Sequence, residues 1–486
     1  MTGVHRLQLA ERLCLYGIGA ILLVLLFRLR DSFSLDESGM IYVLSLPAKG
    51  AFEEYTRNLP MLSLYEAFMW IWLRLVGTTE AMARLPSIVF FLATLVTVYR
   101  IARSRLERKQ ALLTCLIATA TPQIQVFATT ARPYMMTILF CALSMQQFTK
   151  WQEKSGVKNL VNAGAWLAVS IFTKIFAATQ LAMIAPLVWF MGKREDRFKN
   201  MMAVMILPAI AVAVQLPLVI HFQKHAHMHM FTRAPAGLDH FRHLVLEPIF
   251  TVEVWGAIAA LLILRLLNRQ RDRFKNWKFF WALGFMALTT PVFIGLATWA
   301  TGTFLLSEKY AVAAYLPAIL LAGFLAATAT QLKFAFPFIC LHLGFVGALS
   351  AASLPAEKEN WRRAFQIARN MQSERAPTLL LHTGFFESQF KDFEGSGFLL
   401  SPALVYNVPG PILAVPAYPM DEMIPWIEKN IRPLVNATGT KPILFISKRP
   451  MSQKKALLIA EMLGWGITGI EFDQTQVWWI FPLPLI

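Results

Sequence analysis

The chain has 486 residues, 56% of them hydrophobic and only 15% charged, against about 25% charged in ordinary soluble domains. That balance excludes disordered, coiled-coil and collagen-like chains and points to a membrane protein. The 46 Lys and Arg against 29 Asp and Glu leave a net charge of +17, which in a polytopic chain reports basic cytoplasmic loops, so no nucleic-acid partner is expected.

The apolar stretch Leu13 to Leu29 follows basic residues but lacks a small-residue cleavage site and runs into Arg28, Arg30 and Asp31. It reads as an uncleaved first span. About 20 residues cross a bilayer core, and further apolar segments lie near 60–76, 84–101, 110–128, 133–149, 159–173, 176–191, 201–220, 249–267, 278–300, 310–329 and 334–353. Basic clusters mark the cytoplasmic side: Arg6 and Arg12, Arg100 to Lys109, Lys150 to Lys158, Lys193 to Lys199, Arg265 to Lys278, and Lys333. If 60–76 crossed the membrane, the Arg100 to Lys109 cluster would be stranded outside. That segment therefore reads as an amphipathic helix in the outer interface, with Glu66 and Arg74 among Tyr65, Phe68, Trp70 and Trp72. Eleven spans remain, N-terminus inside and C-terminus outside.

Beyond Ser353 the composition turns mixed and proline-rich. Strand-like runs at Thr378 to His382, Ile443 to Ser447 and Val477 to Phe481 alternate with helix-like stretches at Glu357 to Gln372, Asp421 to Val435 and Ser452 to Leu463. These predict a small extracytoplasmic α/β domain over 354–486 following a membrane domain over 1–353, whose outer loop 30–83 carries interfacial helices. Cys14, Cys115, Cys141 and Cys340 lie in apolar runs without CxxC spacing and read as small core residues. Gly395-Ser396-Gly397 matches no complete phosphate-binding fingerprint.

The outer loop after the first span holds Asp36 and Glu37. A carboxylate beside a bilayer is costly and marks function, and one within reach of a hydroxyl can accept its proton. A solvated loop acid is the plain alternative. Arg84, Arg132, Lys174 and Lys309 all fall at outer membrane ends, where positive-inside statistics do not ask for cations. They invite an anionic ligand, with snorkelling to lipid phosphates as the alternative. Tyr134, Tyr310 and Tyr315 accompany them. In the loop from His221 to His243, the alternating His225, His227 and His229 would share one face of an extended segment and leave room for a divalent metal or for acceptor contacts. No resident cofactor is indicated.

In order along the chain come Asp36-Glu37, Asn58-Leu59-Pro60 with the amphipathic Leu62 to Gly77, Ala83-Arg84-Leu85-Pro86-Ser87, Ala131-Arg132-Pro133-Tyr134, Thr173-Lys174, and Glu308-Lys309-Tyr310 with Leu316-Pro317. This succession resembles the bacterial glycosyltransferase family 39 and 83 group of the GT-C superfamily, the protein O-mannosyltransferase and aminoarabinose-transferase type. The resemblance implies an α-helical polytopic enzyme of the bacterial inner membrane with a periplasmic C-terminal α/β domain. It implies an inverting transfer of sugar from a polyprenyl-phosphate donor to an envelope lipid, polysaccharide or protein at the outer face. Asp36 would then be the catalytic carboxylate with Glu37 beside it, and Lys309, Tyr310, Arg132, Lys174 and Arg84 would face the donor phosphate. Tyr134, Glu308, His225 and His227 stand as secondary substrate contacts. Asn58-Leu59-Pro60 replaces the usual His-Pro-Pro, Thr130 replaces a frequent Glu, and Lys309 replaces an Arg, which keeps the charge but loses the bidentate fork.

A transporter or flippase of a lipid-linked glycan would also want a polytopic bundle and cations. Such proteins place ionisable groups near the midplane and carry inverted repeats. Here no repeat is evident and the charges cluster at membrane ends.

Overall fold

The structure is a computed structural model describing residues 3–58, 63–225, 277–301, 309–329, 335–353, 360–375, 378–383, 388, 391, 396–408, 410–438, 441–448, 452–472 and 475–482. The bundle opens with α1 (Gly3–Arg28), the short α2 (Leu35–Ser45), α3 (Ala48–Asn58) and α4 (Leu64–Val76), then α5 (Glu80–Arg103). It continues through α6 (Arg108–Ala120), α7 (Pro122–Ala128), α8 (Tyr134–Lys154), α9 (Val157–Thr173), α10 (Thr179–Met191) and α11 (Arg197–His225). Three more helices follow: α12 (Trp277–Thr301), α13 (Val312–Ala329) and α14 (Ala335–Ser353). One apolar core joins them, including Phe91, Leu113, Met135, Leu167, Met183 and Leu320.

Four described helical segments are long and apolar enough to cross a membrane: Leu9–Arg28, Glu80–Arg103, Arg194–Pro217 and Phe336–Ser353. The chain is a multi-pass membrane protein. The segment read as a straight span over 110–128 is a pair of helices bent by 70°. Pro122 lacks an N–H and forces Thr121 into extended backbone, which breaks the ladder there. The apolar segment at 249–267 lies outside the described residues.

In lipid, helices associate through close backbone approach, and α1 and α14 show it. A Cβ on Gly17 would stand 3.2 Å from Gly344 Cα, and the thiols of Cys14 and Cys340 meet at 3.3 Å.

At 13 residues, α4 spans about 20 Å, too short for a ~30 Å core. Of the two charged residues in this helix, Arg74 is exposed and Glu66 is not. Glu66 is buried with Tyr65, Met69 and Leu73, while Ile71 and Leu75 are exposed. Arg74 donates to the Leu44 and Leu46 carbonyls at 3.0 and 2.6 Å, capping the end of α2, where a cation suits the helix dipole.

The C-terminal part holds α15 (Trp361–Arg375), β1 (Thr378–His382), α16 (Ser401–Val405), β2 (Ile412–Ala414), α17 (Met420–Thr438) and β3 (Ile443–Lys448). It ends with α18 (Ser452–Leu463), β4 (Trp465–Phe472) and β5 (Thr475–Pro482). The strand order is β2-β1-β3-β5-β4, with β2, β1 and β3 parallel and β5 and β4 antiparallel. Alternating side chains divide two cores. Leu379, Leu381, Leu444 and Ile446 pack on Trp361 and Phe365 of α15, while Leu380, Ile443 and Phe445 pack on α17 and α18. The first core also takes in Leu35, the first residue of α2.

Candidate active site

The site is built from the start of α2. Ser34 and Glu37 form a capping box: the Ser34 hydroxyl accepts from the Glu37 N–H at 3.3 Å, and the Glu37 carboxylate accepts from the Ser34 N–H at 2.9 Å. The same carboxylate, fully buried, takes a two-pronged contact from Arg84, with Nε to Oε1 at 2.8 Å and Nη2 to Oε2 at 2.6 Å. It also takes the Ala131 N–H at 2.7 Å. Four donors fill its acceptor sites. Burial alone would raise the Glu37 carboxyl, but Arg84 and these backbone donors hold it below its ordinary value.

Arg84 is consumed in the same way. Beyond Glu37 it donates to the Asp31 and Ser32 carbonyls at 2.7 and 3.0 Å, and its side chain is 5% exposed. Glu37, expected to work beside Asp36, and Arg84, expected to face a phosphate, are here spent on each other and on backbone. Ser34-Leu35-Asp36-Glu37 carries the S-x-x-E signature of a capping box, the sequence signal for this structural role.

Asp36 lies between these fixed residues with its side chain 52% exposed. The Ala131 contact to Glu37 brings the next residue, Arg132, alongside it. Arg132 Nη2 stands 3.7 Å from Asp36 Oδ2, and its Nη1 donates to the Asp36 carbonyl at 3.3 Å. What desolvation the half-exposed side chain suffers would raise the Asp36 carboxyl, but Arg132, then Lys309, Lys448 and Lys174, hold it below the ordinary carboxylate range.

The other cations come from distant stretches. Lys174, in the turn after α9, lies 4.6 Å from the ring centre of Tyr134 and 5.8 Å from that of Tyr310. Lys309 lies 5.7 Å from the Tyr310 ring, and Phe176 packs on Tyr310 at 4.3 Å. Burial first, with Arg132 and Lys309 adding repulsion, brings the Lys174 ammonium down to about 7. Asp36, Arg132, Lys174, Lys309, Tyr134 and Tyr310 thus converge. Tyr315 is buried and makes an edge contact to Phe127.

Two participants escaped the sequence reading. Glu66 enters beside Lys174 because Ser63, just before α4, donates to the Thr173 carbonyl at 3.1 Å. Burial lifts the Glu66 carboxyl to about 7 against the pull of Arg132 and Lys174. Glu66 Oε2 and Arg132 Nε are buried without a hydrogen-bond partner among the described residues. The other is Lys448, from the end of β3, whose charge reaches Asp36. A lone acid in an apolar helix is the available hint for Glu66, while nothing local marks Lys448.

Glu308 and His227 lie outside the described residues, as do His229, His240 and His243, and His225 ends α11. Among the described residues no three His, Cys, Asp or Glu converge as metal ligands.

The structure is similar to a crystal structure of ArnT from Cupriavidus metallidurans bound to undecaprenyl phosphate, with TM-score 0.57, 14% identity, and coverage of 96% of this chain and 97% of that one. The chain has the fold of ArnT. The apo ArnT structure from the same organism gives TM-score 0.54 with the same identity and coverage. The family described as dolichyl-phosphate-mannose-protein mannosyltransferase matches residues 60–221 of this chain. That stretch carries Glu66, Arg84, Arg132 and Lys174. Nothing among curated proteins matches the sequence.

Removing one partner from a buried, hydrogen-bonded ion pair leaves the other uncompensated and costs about 3–5 kcal/mol. Glu37→Ala is therefore expected to destabilise the protein by that order. Chemical unfolding of the purified protein in detergent checks it, and wild-type stability would contradict the structural role.

Proposed function

We propose that the protein is an inverting glycosyltransferase moving a sugar from a polyprenyl-phosphate donor to an acceptor hydroxyl or amine. The observation that carries this reading is the open Asp36 carboxylate standing against Arg132, with Lys174 and Lys309 gathered on the same side. The fold supports it, because its relative ArnT binds undecaprenyl phosphate.

In the reaction the acceptor atom forms a bond to the anomeric carbon while the bond from that carbon to the donor phosphate oxygen breaks. Asp36, kept ionised by its cations, accepts the acceptor's proton. The leaving phosphodiester becomes a phosphomonoester, so negative charge grows on it as the bond breaks. Arg132, Lys174 and Lys309 meet that growth with fixed positive charge, stabilising the transition state more than the ground state. Displacement from the face opposite the phosphate inverts the anomeric carbon. The Glu66 carboxyl, with Oε2 unpartnered among the described residues, supplies a hydrogen-bond partner for a hydroxyl of the sugar.

A lipid-borne donor suits a site at the membrane edge, because nucleotide sugars are absent outside the cytoplasm. Residues 1–353 then form the membrane-embedded catalytic domain of a bacterial inner-membrane enzyme, and residues 354–486 a periplasmic domain. The acceptor belongs to the cell envelope, as a lipid, polysaccharide or protein.

Asp36→Asn is expected to abolish transfer while the protein still folds and inserts, and Lys309→Ala to weaken use of the donor more than of the acceptor. Mass spectrometry of envelope glycolipids and glycoproteins, from cells carrying each variant or none, reads the missing sugar; full transfer by Asp36→Asn removes Asp36 from the mechanism.

The Lys174 ammonium yields a pH signature. It is charged below about 7 and loses its proton above, whereas an arginine there stays charged throughout. Wild-type affinity for undecaprenyl phosphate is expected to fall relative to Lys174→Arg as pH rises from 6 to about 9, with a bound anion moving the divergence upward. A constant ratio of the two affinities would exclude Lys174 from the phosphate.

A further inference from the structure

The loop Arg30 to Leu35 that leads into Asp36 is held through several of its backbone polar groups, and the partners come from two different places. On the membrane side, Arg84 takes the carbonyls of Asp31 and Ser32, and Glu37 takes the N–H of Ser34. On the other side the partners belong to the α/β domain. Arg362 of α15 donates through Nη2 to the Arg30 carbonyl at 2.7 Å and through its backbone N–H to the Ser32 hydroxyl at 3.3 Å. The Tyr406 hydroxyl accepts the Phe33 N–H at 2.9 Å and meets the Ser32 hydroxyl at 3.1 Å.

Glu80 ties the two sides together. It opens α5 and takes the Tyr406 hydroxyl at 3.0 Å and Arg362 Nε at 2.9 Å on Oε1. One turn later the same helix presents Arg84, so position i+4 holds the loop directly while position i holds it through Tyr406 and Arg362. The Tyr406 ring packs on Phe33 and Phe365, with centroids 6.2 and 5.9 Å apart. Leu35 is buried in the domain core beside Trp361 and Phe365. At Gly397 any Cβ would collide with the Tyr42 hydroxyl of α2, so the domain lies directly on that helix.

We propose that Tyr406, Arg362 and Glu80 are positioning residues through which the α/β domain aims Asp36 at its substrate. This rests on the reading of Asp36 as the proton acceptor. The domain therefore completes the holder of the catalytic carboxylate. Asp36 is bracketed by Leu35, seated in the domain core, and by Glu37, locked in the bundle. Freeing one bracket lets the carboxylate drift from Arg132, its nearest cation.

The test uses the full-length protein in detergent with Tyr406→Phe, which keeps the packed ring and removes only the hydroxyl. Carbodiimide labels protonated carboxyls, so peptide mass spectrometry of Asp36 labelling against pH reads its titration without needing the sugar. The charges facing Asp36 are Arg132 before α8, Lys174 after α9, Lys309 before α13 and Lys448 on β3, with the Tyr310 phenol beside them. A looser contact with Arg132 raises the Asp36 titration, so labelling is expected to persist to higher pH in the variant. Transfer read from envelope glycans is expected to fall about tenfold, since misplacement by about 1 Å costs up to a hundredfold. Undecaprenyl phosphate affinity is expected to stay within about twofold of wild type, because Arg132, Lys174 and Lys309 are untouched.

Ser32→Ala, which removes the shared hydroxyl with little change of volume, is expected to move labelling and transfer the same way and guards against misfolding of the first variant. Wild-type labelling and transfer in both variants overturn the proposal. Retained transfer in Asp36→Asn would instead overturn the reading of Asp36, so the two failures are distinguishable.

Discussion

The buried Glu37–Arg84 pair is the constraint from which the rest of the site follows. A charged pair in so dry a place is stable only when every remaining lone pair and proton is satisfied, and Ser34, Ala131, Asp31 and Ser32 complete that set. Satisfying it joins three stretches of chain: the loop after α1, the second turn of α5 and the turn before α8. Asp36 and Arg132 are the immediate neighbours of residues so joined, and they meet as a consequence.

Much of this arrangement is legible in the amino-acid sequence. The parity of basic loops reads 60–76 as lying outside the bilayer, and the helix found there, α4, has 13 residues. The run Thr378 to His382 is β1, and the runs around Ile443 and Val477 are β3 and β5. Cations at outer membrane ends pointed to Arg132, Lys174 and Lys309, because positive charge there runs against ordinary membrane statistics. What the pattern could not distinguish was a cation reserved for a ligand from one reserved for the protein. Arg84 has the same residue type and the same membrane end as Arg132, and only a long-range contact to Glu37 separates their roles.

Other departures have equally local causes. Strand β2 has three residues and β4 contains Gly466 and Gly469, so neither shows the β-branched alternation that announces a strand. The bend before Pro122 is written in the proline but hidden in an apolar run that satisfies a span by composition. Glu66 reads as part of an amphipathic interfacial helix, and it shares the buried face of α4 with Tyr65 and Met69. Lys448 reaches the site from more than 400 positions beyond Asp36 through β3, a distance that no motif bridges.

Taken together, the bundle supplies the cations and the α/β domain helps to hold the acid, with the loop between α1 and α2 gripped by both. The central claim is that cations from separate stretches form one phosphate site beside Asp36. An experimental structure of the full-length protein with undecaprenyl phosphate tests it most directly. The account predicts the phosphate within hydrogen-bond reach of Arg132 and at least one of Lys174 and Lys309, on the side of Asp36. A phosphate bound elsewhere on the bundle, with those three side chains uncontacted, would contradict it.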